Sequence, residues 1–350
     1  MPNKLAFIAD MPLPVHGMSL ANLHVFNRIS KFTEHDVILF NTSHENRIYK
    51  VFYYFFVFFK FLFQRFEVTY LSLYGGLGLF LQLPIIIFAV IFSKKIYIHH
   101  HSYAYITRYN ILHKFLPSKR ITHIFLSAQM AKAYMKKYSV DLEYKILDNS
   151  IFVPVRCVKT TCQTLTIQKP FKIGFIGAVS IDKGIQRFIE DTDQLLNTGY
   201  SIERYICGKV DETLDKDLYT KIVSKCKYLG VKYDEDKFLE FFEQIDLLYF
   251  PTSYANEAQP LVVYEALSAG VPVIASDIGT IRGQLQDPSL GLVMNDVFCS
   301  TERMNLLKRH LDNHHLLRKD IIRASYQKHC DQKILAFDNF LLEVRNELGA

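Results

Sequence analysis

The stretch that decides the fold reads Asn256-Glu-Ala-Gln-Pro-Leu-Val-Val-Tyr-Glu-Ala-Leu-Ser-Ala-Gly270-Val-Pro-Val-Ile-Ala-Ser276. Pro260 favours the first position of a helix, Gly270 ends that helix, and the apolar run 271–275 predicts a buried strand behind it. Glu257 lies just before the helix, whereas Glu265 lies within it, about 7–8 Å along the axis from Pro260. The two carboxylates are therefore too far apart to share one reacting atom, but they can bind two ends of one elongated ligand. Between them, the helix N-terminus offers free N–H groups to an anion.

This stretch resembles the signature of the family-4 retaining glycosyltransferases of the GT-B fold, in which seven residues separate two carboxylates. Beyond the acids, the resemblance extends in register to Pro260-Leu261, Glu265-Ala266, Ala269-Gly-Val-Pro-Val273 and Ala275-Ser276. Glutamates at this spacing occur by chance in many proteins, but the Gly-Val-Pro helix stop and the strand behind it make the resemblance specific. The competing interpretation is an ordinary exposed helix with a solvated glutamate.

Two series of alternating apolar and amphipathic segments, separated by a polar stretch, make up the chain. Such alternation predicts parallel, doubly wound sheets, one in each half. With the resemblance, it indicates an α/β chain of the GT-B fold, with two Rossmann-like domains and an inter-domain cleft. We expect an N-terminal acceptor domain at 1–152, a linker at 153–170 and a nucleotide-sugar domain at 171–330. In the resembling family a final helix packs back on the first domain, and 331–350 is expected to do so here.

Composition limits the class of protein further. The chain has 350 residues, of which 49% are hydrophobic, so two domains can each bury a core. Its net charge of +6 is too diffuse to indicate nucleic-acid binding, and it suits nucleotide phosphates or an anionic membrane surface. Six cysteines are scattered without a Cys-x-x-Cys pair, which argues against a zinc site and favours a reduced, cytoplasmic setting.

Residues 68–93 contain no charged side chain, and their hydropathy is typical of a membrane span. Gly75-Gly76 interrupts this run, however, and Pro84 lies inside it. A buried strand at 68–73, a glycine turn and an apolar helix at 77–92 account for the same composition. We favour the strand and helix over a membrane span.

Residues 47–65 predict a helix of aromatic and aliphatic side chains with a basic edge. At about 100° per residue, its basic side chains fall within an arc of about 140°; they are Arg47, Lys50, Lys60 and Arg65. Such a helix suits insertion at an anionic membrane surface, which would make the chain a peripheral protein on the inner face of the cell membrane with a lipid-linked acceptor. The competing interpretation is a core helix whose lysines reach out to solvent.

The loop 177–184 follows the first strand of the second half and opens a helix. The resemblance implies that Lys183 in this loop meets the diphosphate leaving group at the helix N-terminus. Family members also place an arginine directly after the first glycine, and here that position is Ala178. Arg282 is one candidate for the missing cation, and the alternative is a leaving group that is held less tightly. As a simpler interpretation, Lys183 is a surface lysine beside a helix cap.

Two features of the first half belong to the same resemblance. Gly17 lies in the turn where the family's glycine loop meets the donor phosphate, since the absence of a Cβ lets backbone N–H groups approach closely. The run 99–101 is three histidines, and the family's sugar-contacting histidine maps to His101, with Ser102 in place of a glycine. A metal site is one alternative, but adjacent strand residues point to opposite faces, so at most two of the three share a side. A histidine satisfied in the core is the other alternative.

The resemblance thus implies a retaining glycosyltransferase of polysaccharide, O-antigen or capsule assembly. Its donor is a UDP- or GDP-sugar, and its acceptor is a glycan or a lipid-linked glycan. No Asp-x-Asp stands at a suitable strand end, so no metal and no other cofactor is expected. A sugar-nucleotide epimerase of the same fold and a catalytically weak sugar-nucleotide-binding subunit are the rival functions. A nicotinamide enzyme is disfavoured because no Gly-x-Gly-x-x-Gly follows the first strand.

The roles implied by the resemblance fall on few residues. Glu265 would bind the ribose hydroxyls and Glu257 the transferred sugar, while Lys183 and Gly17 would stabilise the diphosphate and His101 would position the sugar. The implied catalytic residues are His101, Lys183 and Glu257. The implied donor-binding residues are Gly17, Lys183, Glu257, Ala258, Gln259, Pro260, Leu261 and Glu265. Ala258-Gln259 replaces the family's common Gly-Phe, so the identity of the sugar does not follow from the resemblance.

Overall fold

The computed structural model describes residues 3–13, 17–33, 35–44, 46–76, 78–117, 119–155, 170–231, 235–295, 299–313 and 318–349. The chain divides into two compact units, one formed by Met1–Phe152 with Asp331–Ala350 and the other by Val153–Cys330. Most of the predicted linker, residues 156–169, lies outside the described part of the chain. Each unit is built on its own parallel β-sheet.

The described strands of the first unit form a six-stranded sheet in the order β2-β1-β3-β4-β5-β6, and all neighbours are parallel. The strands are β1 (Lys4–Ala9), β2 (Asp36–Asn41), β3 (Val68–Leu73), β4 (Lys95–His100), β5 (Ile121–Phe125) and β6 (Tyr144–Ile146). The central strands are nearly continuous apolar runs because helices cover both faces of such a sheet. All six side chains of β3, for example, are buried.

Helices of the first unit alternate with these strands. They are α1 (Gly17–Phe32), α2 (Arg47–Phe63), α3 (Gly78–Phe92), α4 (Ala104–Thr107) and α5 (Ala128–Tyr138), with 3-10 turns at Ile111–Phe115 and Asn149–Phe152. Side-chain caps fix two of the helix starts: Asn46 accepts from the backbone N–H groups of Ile48 and Tyr49, and Ser127 accepts from that of Met130.

The second unit repeats the pattern. Its described strands form a parallel six-stranded sheet in the order β12-β11-β10-β7-β8-β9. The strands are β7 (Phe171–Ile176), β8 (Ile202–Cys207), β9 (Lys227–Tyr228), β10 (Leu247–Phe250), β11 (Val273–Ser276) and β12 (Gly291–Met294). The helices are α6 (Ile185–Asn197), α7 (Lys216–Lys225), α8 (Glu235–Glu243), α9 (Leu261–Ser268), α10 (Ile281–Gln284), α11 (Ser300–Asp312) and α12 (Lys319–Gly349).

The end of α12 belongs to the core of the first unit. Its buried apolar side chains share one cluster with residues of β1, α1 and β3; on α12 they are Phe337, Phe340, Leu341, Val344 and Leu348. Each such side chain stabilises the unit by about 1.5–3 kcal/mol through the apolar surface it removes from water. Tyr97 in β4 adds a hydrogen bond to Glu343 at 2.8 Å.

The uncharged run 68–93 folds as a strand, a turn and a helix, which confirms the interpretation we favoured. β3 ends at Leu73, the turn includes Gly76 with a φ of 63°, and α3 begins at Gly78 with Pro84 inside it. The buried Gln82 side chain accepts from the backbone N–H of Tyr74 at 2.8 Å and donates to the carbonyl of Ser72 at 2.8 Å, which fixes α3 to the end of β3. Over the residues described, no helix is both long and apolar enough to span a membrane.

Candidate active site

The segment 256–276 folds as the sequence predicts, with two small differences. α9 covers Leu261–Ser268 and ends before Gly270, whose φ of 78° is left-handed and whose Cβ would lie 2.6 Å from the backbone oxygen of Lys319. Pro260 is the residue before the helix and not its first member, because its ψ of 125° is extended. The following strand begins at Val273, since Pro272 has no N–H to donate to the ladder.

Lys183 and Glu257 meet in an ion pair. Lys183 Nζ lies 2.5 Å from Glu257 Oε2, and the two side chains are only 23% and 12% exposed. The same ammonium lies 4.5 Å from the ring centroid of Tyr254, an arrangement that adds cation–π attraction. The pair is thus a charge-assisted hydrogen bond in a partly dehydrated setting, where it is stronger than on an open surface.

The ion pair lies at the point where the strand order of the second sheet reverses. Lys183 follows β7 and Glu257 follows β10, and these two strands are neighbours in the sheet although two other strands, β8 and β9, separate them in the chain. In doubly wound sheets, ligands bind outside the carboxyl ends of the strands at such a reversal. The topology therefore places both charged groups where a doubly wound sheet presents its ligand site.

Close backbone packing fixes the Lys183 loop. Gly184 has a φ of 89°, and a Cβ there would lie 2.0 Å from the carbonyl oxygen of Pro251. The backbone N–H of Ser253 donates to the carbonyl of Asp182 at 2.7 Å. Only glycine at position 184 lets the loops after β7 and β10 approach so closely, and this approach brings Lys183 to Glu257.

A third loop, after β11, holds the backbone on the other side of Glu257. A Cβ on Gly279, whose φ is 60°, would lie 2.1 Å from the carbonyl oxygen of Glu257. Thr280 donates both its backbone N–H and its hydroxyl to the carbonyl of Ala258, at 2.8 and 2.9 Å. The Glu257 main chain is therefore held from two sides before any ligand binds, which lowers the ordering cost of binding.

The four residues after Glu257 are mostly enclosed. Ala258, Gln259 and Leu261 are buried, and Gln259 donates its amide to the hydroxyl of Tyr264 at 3.1 Å. Pro260 accepts from the Gln284 side chain at 3.1 Å. Within the protein, these residues shape the turn into α9. Glu265, on the following helix, is half-buried.

Neither Ala178 nor Arg282 supplies a second cation beside Lys183. Ala178 is exposed, and beside it Gly177 has a φ of 138° with open space where a Cβ would stand. Arg282, the candidate replacement for the missing arginine, instead binds Asp277 at 2.5 Å and Asn295 at 2.8 Å. Its charge is already engaged by a carboxylate, which leaves Lys183 as the cation facing Glu257.

Gly17 and His101 belong to the first unit. Gly17 is exposed at the start of α1, and the preceding residues 14–16 lie outside the described part. His101 follows β4 and is half-buried, with its ring 3.9 Å from that of His99 between centroids. His99 and His101 thus share one side of the strand, whereas His100 points to the other and bonds His123 at 2.9 Å. Among the residues described, no cluster of three His, Cys, Asp or Glu side chains could hold a metal ion.

Sequence reasoning missed two residues of this site. Tyr254, whose ring faces Lys183, lies three positions before Glu257 in a loop, where no periodicity marks its role. Thr280 lies in the loop after the next strand and reaches Ala258 only through the fold. Gly279-Thr280 after an apolar strand is a turn signal, but the sequence alone does not tell what that turn contacts.

Comparison with known proteins agrees with this architecture. Residues 161–328 match the family model described as glycosyl transferases group 1. The capsular polysaccharide biosynthesis glycosyltransferase CapM of Staphylococcus aureus is 26% identical over 110 residues, which is 31% of this chain and 28% of that protein. The chain therefore matches little more than a quarter of the length of that curated relative.

Solved structures resemble nearly the whole chain. A sucrose-phosphate synthase from Thermosynechococcus elongatus matches with a TM-score of 0.74 at 13% identity, covering 99% of this chain and 100% of the other. HepE of Anabaena, solved with UDP, matches with a TM-score of 0.69 at 13% identity over 98% and 100% of the two chains. The lipopolysaccharide outer core galactosyltransferase WaaB in its apo form matches with a TM-score of 0.67 at 14% identity over 96% and 98%.

Two conclusions follow from the fold and these comparisons. The two parallel six-stranded sheets and their structural neighbours confirm the predicted α/β architecture of the GT-B class. The match to the group 1 glycosyl transferase model, residues 161–328, falls within the second unit, Val153–Cys330.

Proposed function

We propose that the chain is a retaining glycosyltransferase that moves a sugar from a UDP- or GDP-linked donor to a glycan or lipid-linked acceptor in the assembly of a surface polysaccharide. The observation that carries this proposal is the Lys183–Glu257 ion pair, which lies at the strand-order reversal of the unit that matches the group 1 glycosyl transferase model. CapM is a capsule glycosyltransferase by its description, and HepE was solved with UDP; both support the chemical class of product and donor.

The proposed roles follow from charge and position. An ammonium group has three N–H donors, so Lys183 can bind Glu257 and a phosphate oxygen of the donor together. Charge develops on the diphosphate as the bond from the anomeric carbon to the phosphate oxygen breaks, and Lys183 stabilises that charge. Glu257 accepts from hydroxyls of the transferred sugar, and Glu265 accepts from the ribose. The acceptor oxygen bonds to the anomeric carbon on the face that the diphosphate leaves, and its proton passes to the departing phosphate.

Substitutions of the two glutamates test whether Glu257 binds the sugar and Glu265 binds the ribose of the donor. Glu265→Ala is expected to weaken binding of free UDP or GDP about tenfold, because a lost hydrogen bond to a charged group contributes about 1.5 kcal/mol. Glu257→Ala is expected to lower turnover at least about tenfold. Its affinity for free nucleotide should stay within about twofold of the wild type, because Glu257 contacts the sugar and not the nucleotide. Isothermal titration with free nucleotide and initial rates with the nucleotide sugar separate the two effects.

Glu190→Ala provides the matched control, because Glu190 is an exposed carboxylate on α6. Equal losses of nucleotide affinity in the Glu257 and Glu265 variants would overturn the assignment of the two carboxylates. Nucleotide binding without sugar transfer to any glycan would identify a binding subunit, and turnover of the donor without an acceptor would identify an epimerase.

We also propose that the first unit binds the inner face of an anionic membrane through α2 and α3. These helices pack together, with the rings of Phe58 and Phe88 4.4 Å apart between centroids. Their outer faces carry large apolar side chains that are 36–84% exposed: Ile48, Tyr49, Val51, Phe52, Phe55, Phe56, Phe59, Leu62, Phe63, Phe80, Ile87, Ile91 and Phe92. So many exposed apolar side chains on two packed helices are typical of an interaction site and are costly to leave in water.

The charge of this part of the chain supports an anionic membrane as the occupant of this surface. From position 47 to position 95 the chain has six basic residues and one acid, Glu67, and that acid pairs with Lys94 at 3.2 Å. Lys60 lies 5.5 Å from the ring centroid of Phe56, and Arg65 is exposed just past the end of α2. Basic side chains beside exposed aromatic rings are the combination that anionic lipid surfaces attract.

Replacing Lys60 and Arg65 together by Gln is expected to weaken binding to phosphatidylglycerol vesicles about 30-fold, at about 1 kcal/mol for each charge near the surface. Vesicle sedimentation at low salt measures this, and raising the salt is expected to weaken the wild type in the same direction. Lys216→Gln with Lys221→Gln, on the exposed side of α7, is the charge-matched control. A wild-type chain that ignores anionic vesicles at low salt would contradict the proposal and favour a soluble glycan acceptor.

A further inference from the structure

Tyr254 and Glu257 belong to one turn of the loop after β10. The backbone N–H of Glu257 donates to the carbonyl of Tyr254 at 2.9 Å, which closes residues 254–257 into a turn. The Lys183 ammonium lies 2.5 Å from the Glu257 carboxylate and 4.5 Å from the centroid of the Tyr254 ring. One turn thus presents two attractive groups of different chemistry to the same cation.

Hydrogen bonds fix the base of this turn to the Lys183 loop. The carbonyl of Asp182, the residue before Lys183, accepts from the backbone N–H of Ser253 at 2.7 Å and from its hydroxyl at 3.1 Å. The buried Thr252 donates its hydroxyl to the same carbonyl at 3.4 Å and accepts from the backbone N–H of Tyr254 at 3.2 Å. The protein itself therefore holds the backbone of Tyr254 in a fixed relation to that of Lys183.

A lysine side chain needs more than one contact to be oriented. Its four-carbon stem is flexible, and a single hydrogen bond to Glu257 fixes one distance but leaves the ammonium free to swing around the carboxylate. The Tyr254 ring supplies a second contact. Of the three N–H donors on the ammonium, one meets Glu257, and the ring restricts the direction in which the others point.

A ring face orients the cation without adding negative charge. The attraction is to the quadrupole of the ring, which has no net charge, and it grows as the cation loses water; the Lys183 side chain is only 23% exposed. Lys183 and Glu257 already sum to zero charge. A second carboxylate in place of the ring would make the site negative and would repel a diphosphate.

We propose that Tyr254 is a positioning residue of the sugar-transfer reaction, whose ring holds the Lys183 ammonium where negative charge develops on the departing diphosphate. This inference rests on the proposed function, and it adds a residue that acts on the donor only through Lys183. Because the protein itself makes the ring contact, the cation is oriented before the bond from the anomeric carbon to the phosphate oxygen breaks.

Replacing Tyr254 by leucine keeps an apolar side chain but removes the ring. Tyr254→Leu is expected to lower kcat at saturating nucleotide sugar about tenfold, the factor that a partly dehydrated cation–π contact supplies. The KM for the donor should stay within about twofold, because the contact acts on charge that develops in the transition state. Tyr254→Phe keeps the ring and is expected to recover most of the lost rate. Tyr219→Leu, at a 43% exposed position of α7, is the matched control.

Fluorinated phenylalanines at position 254 separate cation–π attraction from packing. Each added fluorine withdraws electron density from the face of the ring and weakens its attraction for a cation, with little change of shape. The logarithm of kcat is expected to fall stepwise from phenylalanine to the monofluoro, difluoro and trifluoro side chains. The same kcat across this series would show that the ring acts through packing alone and would overturn the proposal.

A second background tests whether the ring acts through Lys183. In Lys183→Met, the additional Tyr254→Leu substitution is expected to leave the remaining kcat unchanged, because no ammonium is left to position. A further tenfold loss in that background would contradict the proposed role.

Titration with UDP, GDP and the free nucleosides keeps this role separate from the proposed transferase function. Tyr254→Leu is expected to weaken binding of the nucleoside diphosphate about threefold and to leave binding of the nucleoside unchanged, since the ring acts on the cation that faces the phosphates. A wild type that binds a nucleoside diphosphate but transfers no sugar would contradict the transferase function alone. Unchanged diphosphate affinity and unchanged kcat in Tyr254→Leu would overturn the positioning role, and a wild type that binds neither diphosphate would overturn both.

Discussion

Replacing Lys183 by methionine is expected to lower kcat for sugar transfer by about 10²–10³-fold, the loss typical when one preorganised donor to a developing anion is removed. Lys183 is the cation that the fold brings to Glu257, while Arg282 is already bound to Asp277 and Ala178 provides no charge. The substitution keeps most of the side-chain volume, so the loops around Gly184 should keep their packing. Initial rates at saturating donor, together with titration of free nucleotide, measure the effect.

Two comparisons separate this role from a structural one. Lys221→Met removes an exposed lysine on α7 and is expected to leave the rate unchanged. In a double-mutant cycle with Glu257→Gln, the two losses should be far from additive, because each residue orients the other across 2.5 Å. A Lys183→Met enzyme with the wild-type kcat would remove Lys183 from the proposed mechanism.

Local rules in the sequence predicted the main elements well. Gly75-Gly76 and Pro84 predicted that the uncharged run 68–93 breaks into a strand and a helix, and β3 and α3 follow that division. Gly270 predicted the end of α9, because few other residues tolerate a φ of 78°. These features depend on the backbone preferences of single residues, which is why sequence alone reveals them.

Contacts between distant segments could not be predicted in this way. Helical periodicity grouped Lys50 with the predicted basic edge of α2, but its ammonium lies on Tyr74, which directly follows β3. Tyr254 reaches Lys183 only because two loops converge at neighbouring strands. Both contacts join residues that are far apart in the chain, and no spacing rule within one segment contains that information.

The buried histidines of the first unit also make contacts that no spacing rule within one segment predicts. His100 at the end of β4 bonds His123 in β5 at 2.9 Å and the hydroxyl of Tyr105 at 3.0 Å. His113 bonds the hydroxyl of Tyr134 at 3.1 Å. Burial disfavours the charged form of all three, and neighbouring histidines add to this effect at His100 and His123. Burial lowers the pKa of His113 to about 4 and of His123 to about 3, and it lowers the pKa of His100 well below its usual range.

These shifts make the first unit sensitive to acid. Each histidine has an ordinary pKa of 6.5 when the chain is unfolded, so between that pH and the lowered folded pKa the unfolded state binds more protons. The free energy of unfolding therefore falls as the pH drops below about 6.5, by up to about 1.4 kcal/mol per pH unit for each histidine. At pH 5 the loss from His113 and His123 together is about 4 kcal/mol, a large part of the stability of a typical domain.

Urea unfolding at pH 5, 6, 7 and 8, followed by circular dichroism, is expected to show this loss as an early transition that moves to lower urea with falling pH. The double variant His113→Gln with His123→Gln should have a smaller pH dependence, by up to two protons, whatever its stability at pH 8, because glutamine does not titrate. His24→Gln, at an exposed position of α1, should keep the wild-type slope. The same slope in the double variant and the wild type would show that other groups bind the protons. The readout is the number of protons taken up on unfolding, which a loss of packing alone does not change.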